Sequence, residues 1–572
     1  MADERPAPSQ RALERGRARA MDILDVEVFR HITKAVLDEI EVNVTRTAYS
    51  PLVYEIKDYT VGILSAKFEL MAQSQLSLPG FVADLGIPVR DAVEIIGSDN
   101  LEPGDVLLTN YAAVQGQHIN NVVSAAPVFT DGEIMAYVAI RVHWSDVGGL
   151  VPGSMSWNAR EIYHEGTQYR GLRVMRAGKV VPEVLATLLA NTRMEEYVYG
   201  DLMAQLGGCV LGCRRWEERI ASKWTKSEVK ELWRLQCEQS TEVARRRIRE
   251  LPDGFYEAEM LLDDAGEVGT PPLRLRVKVL IDGDRIVVDY SDLPPQVAAP
   301  INSGITGCAM STARIAYKIL VAPDYPTDEG LFYPLEVKIP EGTIMSARKG
   351  APMGHWNVLH TTMPELILRA IGQRCPELVP AGNHGTMAIC EFAGQDKDGN
   401  RWYTTDTRSG GWGGSAHADG FSPLKTICHG DCRDLPAEIL EARFPLRAVK
   451  AEFIANSAGR GMHRGGWGVE RVIEVMDKAF LGTSINRTVT PPWGLAGGES
   501  GRPGNIEIKR PGDNEWHEAR KVSMLPLPKG SLVRIRTAGG GGWGPPEKRA
   551  EADKASDRLA GLIIDDGDER TD

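Results

Sequence analysis

Glycine punctuates this chain from end to end. It supplies 59 of the 572 residues, about one in ten against a usual ~7%. Pairs and runs recur at Gly148-Gly149, Gly410-Gly411, Gly413-Gly414, Gly465-Gly466, Gly497-Gly498 and Gly539 to Gly542. They follow no collagen period and sit in no low-complexity segment. A chain so written needs many tight turns and close backbone approaches. Between the glycines lies ordinary core material, 42% hydrophobic and 25% charged, which argues against global disorder. The length allows about three to five domains and a core that needs no disulfide or metal to fold.

Charge and punctuation exclude several classes. Against 78 acidic residues stand 66 basic ones, for a net −12. That balance opposes a protein held by nucleic-acid phosphates or anionic lipid. No run reaches the ~18 uncharged apolar residues of a membrane span. The first 21 residues are polar, with Arg11, Arg15, Arg17 and Arg19 but no apolar core, and so make no secretory signal. Eight cysteines are spread thinly, which predicts free thiols in the cytoplasm.

Residues 25–47 place Val26, Phe29, Ile32, Val36, Ile40 and Val44 at helical spacing and predict an amphipathic helix. From Tyr59 short β-rich runs follow (59–64, 105–108, 122–128 and 136–142), with turn signals at Pro103-Gly104-Asp105 and Asp131-Gly132. Residues 214–251 are charged and predict a helical hairpin broken near 224–227, with Arg245-Arg246-Arg247 on a solvated face. Strands return at 255–262, 273–280 and 285–290, and helices at 311–321 and 357–372, the latter with Pro364 near its start. The glycine-dense final third predicts β structure with tight turns. The fold class is mixed α/β (α+β) and multidomain. Its parts are a disordered tail at 1–21, an N-terminal α/β domain at 22–190 bearing the candidate metal site, a helical segment at 191–253, a central α/β domain at 254–440, a C-terminal β-rich domain at 441–546, and a charged tail at 547–572. That last tail reads as mobile or as a short helix docking on a partner.

Two of the eleven histidines stand in polar loop contexts. His118 lies in Gly116-Gln117-His118-Ile119-Asn120-Asn121, and His143 in His143-Trp144-Ser145-Asp146-Val147-Gly148-Gly149. An oxygen donor follows each three residues on, Asn121 and Asp146. Such a set suits a divalent metal such as Zn, Mn or Fe, although a histidine satisfied by hydrogen bonds is the commoner outcome, and both readings stand. Cys428-His429-Gly430-Asp431-Cys432 is a second cluster. Structural zinc there needs two more ligands, for which Cys209 and Cys213 are candidates; buried thiols are the alternative. The chain has no phosphate loop, no dinucleotide fingerprint (position 464 is Arg) and no G-x-S-x-G elbow. ATP chemistry would therefore reside in another chain.

These motifs together resemble the B subunit of the hydantoinase B/oxoprolinase family. Its relatives include ATP-dependent N-methylhydantoinases and lactamases, and the alpha subunits of acetone-type carboxylases. The resemblance runs from about residue 25 to 546. It rests on Pro103-Gly104-Asp105, Gly116-x-His118, Ala126-Pro127-Val128-Phe129, His143-x-x-Asp146-Val147-Gly148-Gly149, Pro152-Gly153-Ser154 and Glu165-Gly166. Further on come Asn191-x-Arg193, Gly200-Asp201-Leu202-x-Ala204-Gln205, Pro300-Ile301-Asn302, Phe444-Pro445-Leu446-Arg447, Pro491 to Gly498 and Gly539 to Gly544.

The resemblance implies a metal held by Asp58, His118, Asn121 and His143. Where the family pattern has Asp, position 121 is Asn, so one anionic ligand remains and affinity should fall. Asp146 is the reserve carboxylate, as ligand or as a partner orienting a histidine. The resemblance also implies a hetero-oligomer in which an A-type ATPase subunit uses ATP to phosphorylate the carbonyl oxygen of a cyclic amide (hydantoin, oxoproline or lactam). The B-type chain then activates water with its divalent metal, and Asp146 or Glu165 moves the proton. Two alternatives remain: a metal-dependent subunit of a ketone carboxylase, and a non-catalytic structural subunit with a degenerate site.

Overall fold

The computed structural model describes residues 21–564. The expected N-terminal tail falls almost wholly outside them. The first helix, α1 (Ile23–Thr47), is fixed at its start by Asp22, which accepts hydrogen bonds from the Leu24 and Asp25 amides while Asp25 answers the Asp22 amide. Its buried stripe of Val26, Phe29, Val36, Leu37, Ile40 and Val44 is the one read from the sequence.

That stripe packs beside α2 (Glu195–Trp216) over a seven-stranded sheet. Four of its strands are β1 (Tyr59–Ser65), β3 (Val106–Thr109), β4 (Asn121–Thr130) and β5 (Glu133–His143), and β2 (Leu70–Gln73) lies at one edge. The order β2-β1-β5-β4-β3 puts β5 between β1 and β4, antiparallel to both. β1 is buried at every position, because helices cover both faces of this sheet. The Gly200–Gln205 motif lies on α2 and is structural. Asp201 accepts from the Tyr49 and Ser50 amides. Gln205 joins the Trp144 indole to the Val122 and Ile140 carbonyls. Gly208 and Gly212 let α2 close on Ile140 and Val138 of β5, where a Cβ would come within 2.6 and 2.8 Å of their methyls.

The helical hairpin forms as expected, α2 unwinding at Glu217–Ala221 and α3 (Lys226–Ile248) starting from a Thr225 cap. A second, four-stranded sheet carries α4 (Ser311–Val321) and α5 (Asn357–Gly372) over its buried face. Here the strand Gly254–Leu262 alternates buried and exposed residues, since only one face is covered. Pro364 sits at the eighth residue of α5 rather than near its start, and the helix runs through it. Fifteen of the sixteen residues of α5 are buried, and that packing outweighs the lost backbone bond.

The C-terminal third contains a four- and a five-stranded sheet, but its glycine clusters are not mainly turns. They are extended segments lying outside the strands and packed backbone on backbone. Gly414 donates to Gly541 O, Gly541 to Gly382 O, Gly540 to Gly466 O and Gly466 to Trp412 O. A Cβ at Gly540 would stand 1.9 Å from Trp412 O, and one at Gly465 1.9 Å from Gly540 O. Only a hydrogen fits there. Of the charged tail the structure describes 547–564, where Glu551–Leu559 is helical and Asp557 pairs with Arg464 and Arg549 of the same chain. Among the described residues no helix is long and apolar enough to cross a membrane.

Candidate functional site

The register of the first sheet gathers the predicted metal ligands at one end. Asn121 opens β4 directly opposite His143, the last residue of β5. Asp58 precedes β1, and its carbonyl accepts from the His143 amide. Directly opposed residues of antiparallel strands share a face, so the three side chains point the same way. His118 comes from the tight turn before β4, its ring centroid 4.8 Å from that of His143. Lys57, with φ 65°, turns the chain into β1 just ahead of Asp58.

All four groups are buried, and Asp58 Oδ1, His118 Nδ1, Asn121 Oδ1 and His143 Nδ1 make no hydrogen bond of proper geometry. Buried polar atoms are normally paired, so four together mark a place built for something else. Burial pushes the Asp58 carboxyl up to about 7, against the pull of Lys425. It pushes His118 down to about 4, partly offset by the Asn121 amide and the Gly354 carbonyl. His143 is driven well below the usual range by burial and by His118. Two neutral imidazoles, a carboxylate and an amide suit a borderline divalent cation in kind. Among the described residues, however, no three His, Cys, Asp or Glu side chains stand together as a closed ligand set.

The two predicted proton carriers sit in opposite circumstances. Asp146 Oδ1 accepts from the Gly153 amide and Arg193, and Oδ2 from Gly148, Thr192 and the Arg193 amide. The carboxylate is saturated, and it knits the Gly148–Ser154 loop to Arg193. Glu165 is half used. Its Oε1 accepts from the Met353 and Gly354 amides at 2.6 and 2.7 Å, while Oε2 is buried without a partner. Burial raises this carboxyl to about 8. Gly354 donates to Glu165 and lies close enough to His118 to act on its ring. Gly149 and Gly116 are small for backbone rather than ligand: a Cβ would meet Glu165 O at 2.5 Å and Gly304 Cα at 2.7 Å.

Sequence reasoning missed a second set of groups. His355, His360, His384 and His429 are buried too, as are Lys425, Glu365 and Glu391. The available signal was that α5 opens on a His-Trp-x-x-x-His run, at His355, Trp356 and His360. Among the described residues Cys428 and Cys432 do not gather with Cys209 and Cys213 as a ligand set. Cys428 donates to the His360 carbonyl, while Cys209 and Cys213 lie on α2 against β5 and β4 carbonyls. The eight cysteines are free and mostly buried.

The family model described as hydantoinase B/oxoprolinase matches residues 22–546. An uncharacterized protein of Methanocaldococcus jannaschii is 30% identical over 532 residues, 92% of each chain. Caprolactamase subunit beta of Pseudomonas jessenii is 28% identical over 562 residues, 96% of this chain and 95% of its own. The crystal structure of the ATP-dependent caprolactamase from that organism superposes with a TM-score of 0.90 at 26% identity, over 96% of both chains. Nucleotide-free acetone carboxylase superposes at 0.84 with 19% identity, over 94% of this chain and 78% of its own.

Proposed function

Because the chain belongs to the hydantoinase B/oxoprolinase family, we propose that it is the B-type subunit of an ATP-dependent hydrolase opening a cyclic amide. The substrate class is a hydantoin, oxoproline or lactam, and an A-type partner phosphorylates its carbonyl oxygen with ATP. What carries the reading is the convergence of four unpartnered buried atoms, on Asp58, His118, Asn121 and His143, at one end of β1, β4 and β5. The match to caprolactamase over nearly both full chains supports hydrolysis. The acetone carboxylase likeness, at 19% identity, speaks for the fold alone.

Asp58, His118, Asn121 and His143 would hold a divalent cation, which when bound supplies a Lewis acid that polarises a carbonyl and acidifies water. The chain's own groups do the rest. Ring opening by water breaks a C–N bond and leaves a nitrogen that needs a proton. Glu165 holds one at Oε2 up to about pH 8, which fits a general acid near neutrality. Asp146 serves by holding the Gly148–Ser154 loop and Arg193, not by moving protons.

The test is co-purification with an A-type subunit, followed by ATP-dependent ring opening of hydantoin, 5-oxoproline and caprolactam without bicarbonate. Turnover of one ring class with ADP release is expected. Bicarbonate-dependent ATP use with a ketone, and none with the rings, would replace hydrolysis by carboxylation.

A further inference from the structure

Gln117 is wholly buried beside His118 in sequence, yet no step of the proposed hydrolysis uses it. Its side chain belongs to a string of hydrogen bonds that ends at the candidate metal ligands. Asn121 Nδ2 donates to Gln117 Oε1 at 2.8 Å. Gln117 Nε2 donates to Gly80 O and to Asp84 Oδ2, each at 3.4 Å. Arg141 of β5 anchors the far end: its Nη1 reaches Asp84 Oδ1 at 2.6 Å and Phe81 O at 2.7 Å. Every side chain in the string is buried. The stem of Gln117 has little freedom, because it passes so close to Gly307 that a Cβ there would stand 2.5 Å from Gln117 Cγ.

The string has one workable polarity. A backbone carbonyl cannot donate, and the Asp84 carboxyl, charge-paired with Arg141, accepts as well. Turning the Gln117 amide over would set its oxygen against both, in a place where no water can relieve the conflict. Gln117 therefore presents Oε1 to Asn121, and Asn121 answers with Nδ2. The Asn121 oxygen is left directed away from Gln117, and Oδ1 is the atom that has no partner. Asn121 stands directly opposite His143 in the strand register. Such control matters for an amide and not for a carboxylate. Of the two ends of an amide only the oxygen can ligate a cation, whereas either oxygen of a carboxylate can.

We infer that Gln117 is a positioning residue that holds the Asn121 amide with its oxygen toward the cation, a role matched to asparagine at position 121. Asp84 and Arg141 hold Gln117 in turn. This rests on the reading of Asp58, His118, Asn121 and His143 as a divalent-cation site, and the experiment separates the two.

The full chain is stripped of metal with a chelator and titrated with cobalt(II), whose visible absorption reports affinity and donor set together. Saturable binding by the wild type is expected. Gln117→Leu should bind cobalt ~10–100-fold more weakly and with shifted bands, because the Asn121 amide is then free to turn its nitrogen inward. In the Asn121→Asp background the same substitution should leave the bands in place and the affinity equal or higher, because it removes an acceptor that faces the new carboxylate. A merely structural Gln117 would weaken binding equally in both backgrounds, and that result overturns the inference. So does an unchanged affinity in Gln117→Leu alone, which leaves the cation site standing. No cobalt binding by the wild type sinks the cation site, and the positioning role with it. If Gln117→Leu does not fold, Gln117→Met carries the same comparison.

Discussion

The buried histidines form two groups, or walls, of opposite construction. One is set by strand register: Asp58, Asn121 and His143 end or precede three neighbouring strands, and His118 joins from the adjoining turn. It contains a carboxyl, Asp58, and an amide oxygen, Asn121 Oδ1, both without a partner. The other is assembled from positions far apart in sequence, 360 on a helix, 384 and 425–429 on loops. Its rings lie near Lys425, Arg487 and Arg141, each paired with a carboxylate. Burial depresses the histidines of both walls, so basicity does not distinguish them. What sets the first wall apart is that its histidines meet the Asp58 carboxyl at the ends of neighbouring strands.

Variants that break one wall should spare the other. His118→Ala or His143→Ala should have the largest effect: loss of bound metal and a fall in turnover beyond the ~10–100-fold that losing an outer metal partner costs, with assembly intact. Metal analysis of the purified complex checks this, and metal retained in both variants would place the site elsewhere. His384→Gln should keep its metal.

Next comes Glu165→Gln, expected to slow turnover by ~10²–10⁴ with metal binding unchanged. Its carboxyl is raised from 4.5 to about 8 by burial. The folded state therefore binds the proton more tightly than the unfolded chain. The stability it contributes is full below pH 4.5 and is lost as pH rises through about 8. Wild-type turnover should fall in the same alkaline limb, and Glu165→Gln should lack that limb. A limb unchanged in the variant would assign it to another group. Asp146→Asn should act on stability instead. It removes charge from a buried carboxylate that holds Arg193 and the Gly148–Ser154 loop. The cost should fall below the ~3–5 kcal/mol of a fully buried pair, since Arg193 is 23% exposed. Denaturant midpoints measure it.

The same contrast shows what was legible in the sequence. α1, the α2–α3 hairpin, α4 and α5 follow from the spacing of apolar and charged residues, which is local. The first wall was legible because its residues fall within motifs, and the resemblance supplied Asp58, which no spacing would have joined to His118. The second wall was not, because residues 360, 384 and 429 meet only through tertiary packing. Of the two uses of glycine read from the sequence, tight turns and close approach, the final third was given to turns for a related reason. A sequence cannot separate a glycine needed for a left-handed turn, such as Gly148 at φ 90°, from one needed for close approach, such as Gly540. The final third is dominated by the second kind, and Gly410 in particular seats His384. Asp146 and Glu165 were equivalent as letters; only their hydrogen-bond counts set them apart.

The smallest effect expected is also the sharpest test of the first wall. Asn121→Asp introduces the carboxylate that the resemblance implies for this position and adds a negative charge at a site with no exposure. A cation bound there should gain affinity, by about tenfold if the charge is worth ~1.4 kcal/mol. The substitution also has a cost. Asn121 Nδ2 donates to Gln117 Oε1 at 2.8 Å, and an aspartate would set two acceptors against each other. Without metal the variant should therefore melt below the wild type. With saturating metal it should recover more than the wild type gains, because a ligand that binds only the folded state stabilises in proportion to its affinity. Melting curves across a metal titration separate the two effects. A variant destabilised equally with and without metal would show that residue 121 faces Gln117 alone and does not touch the cation.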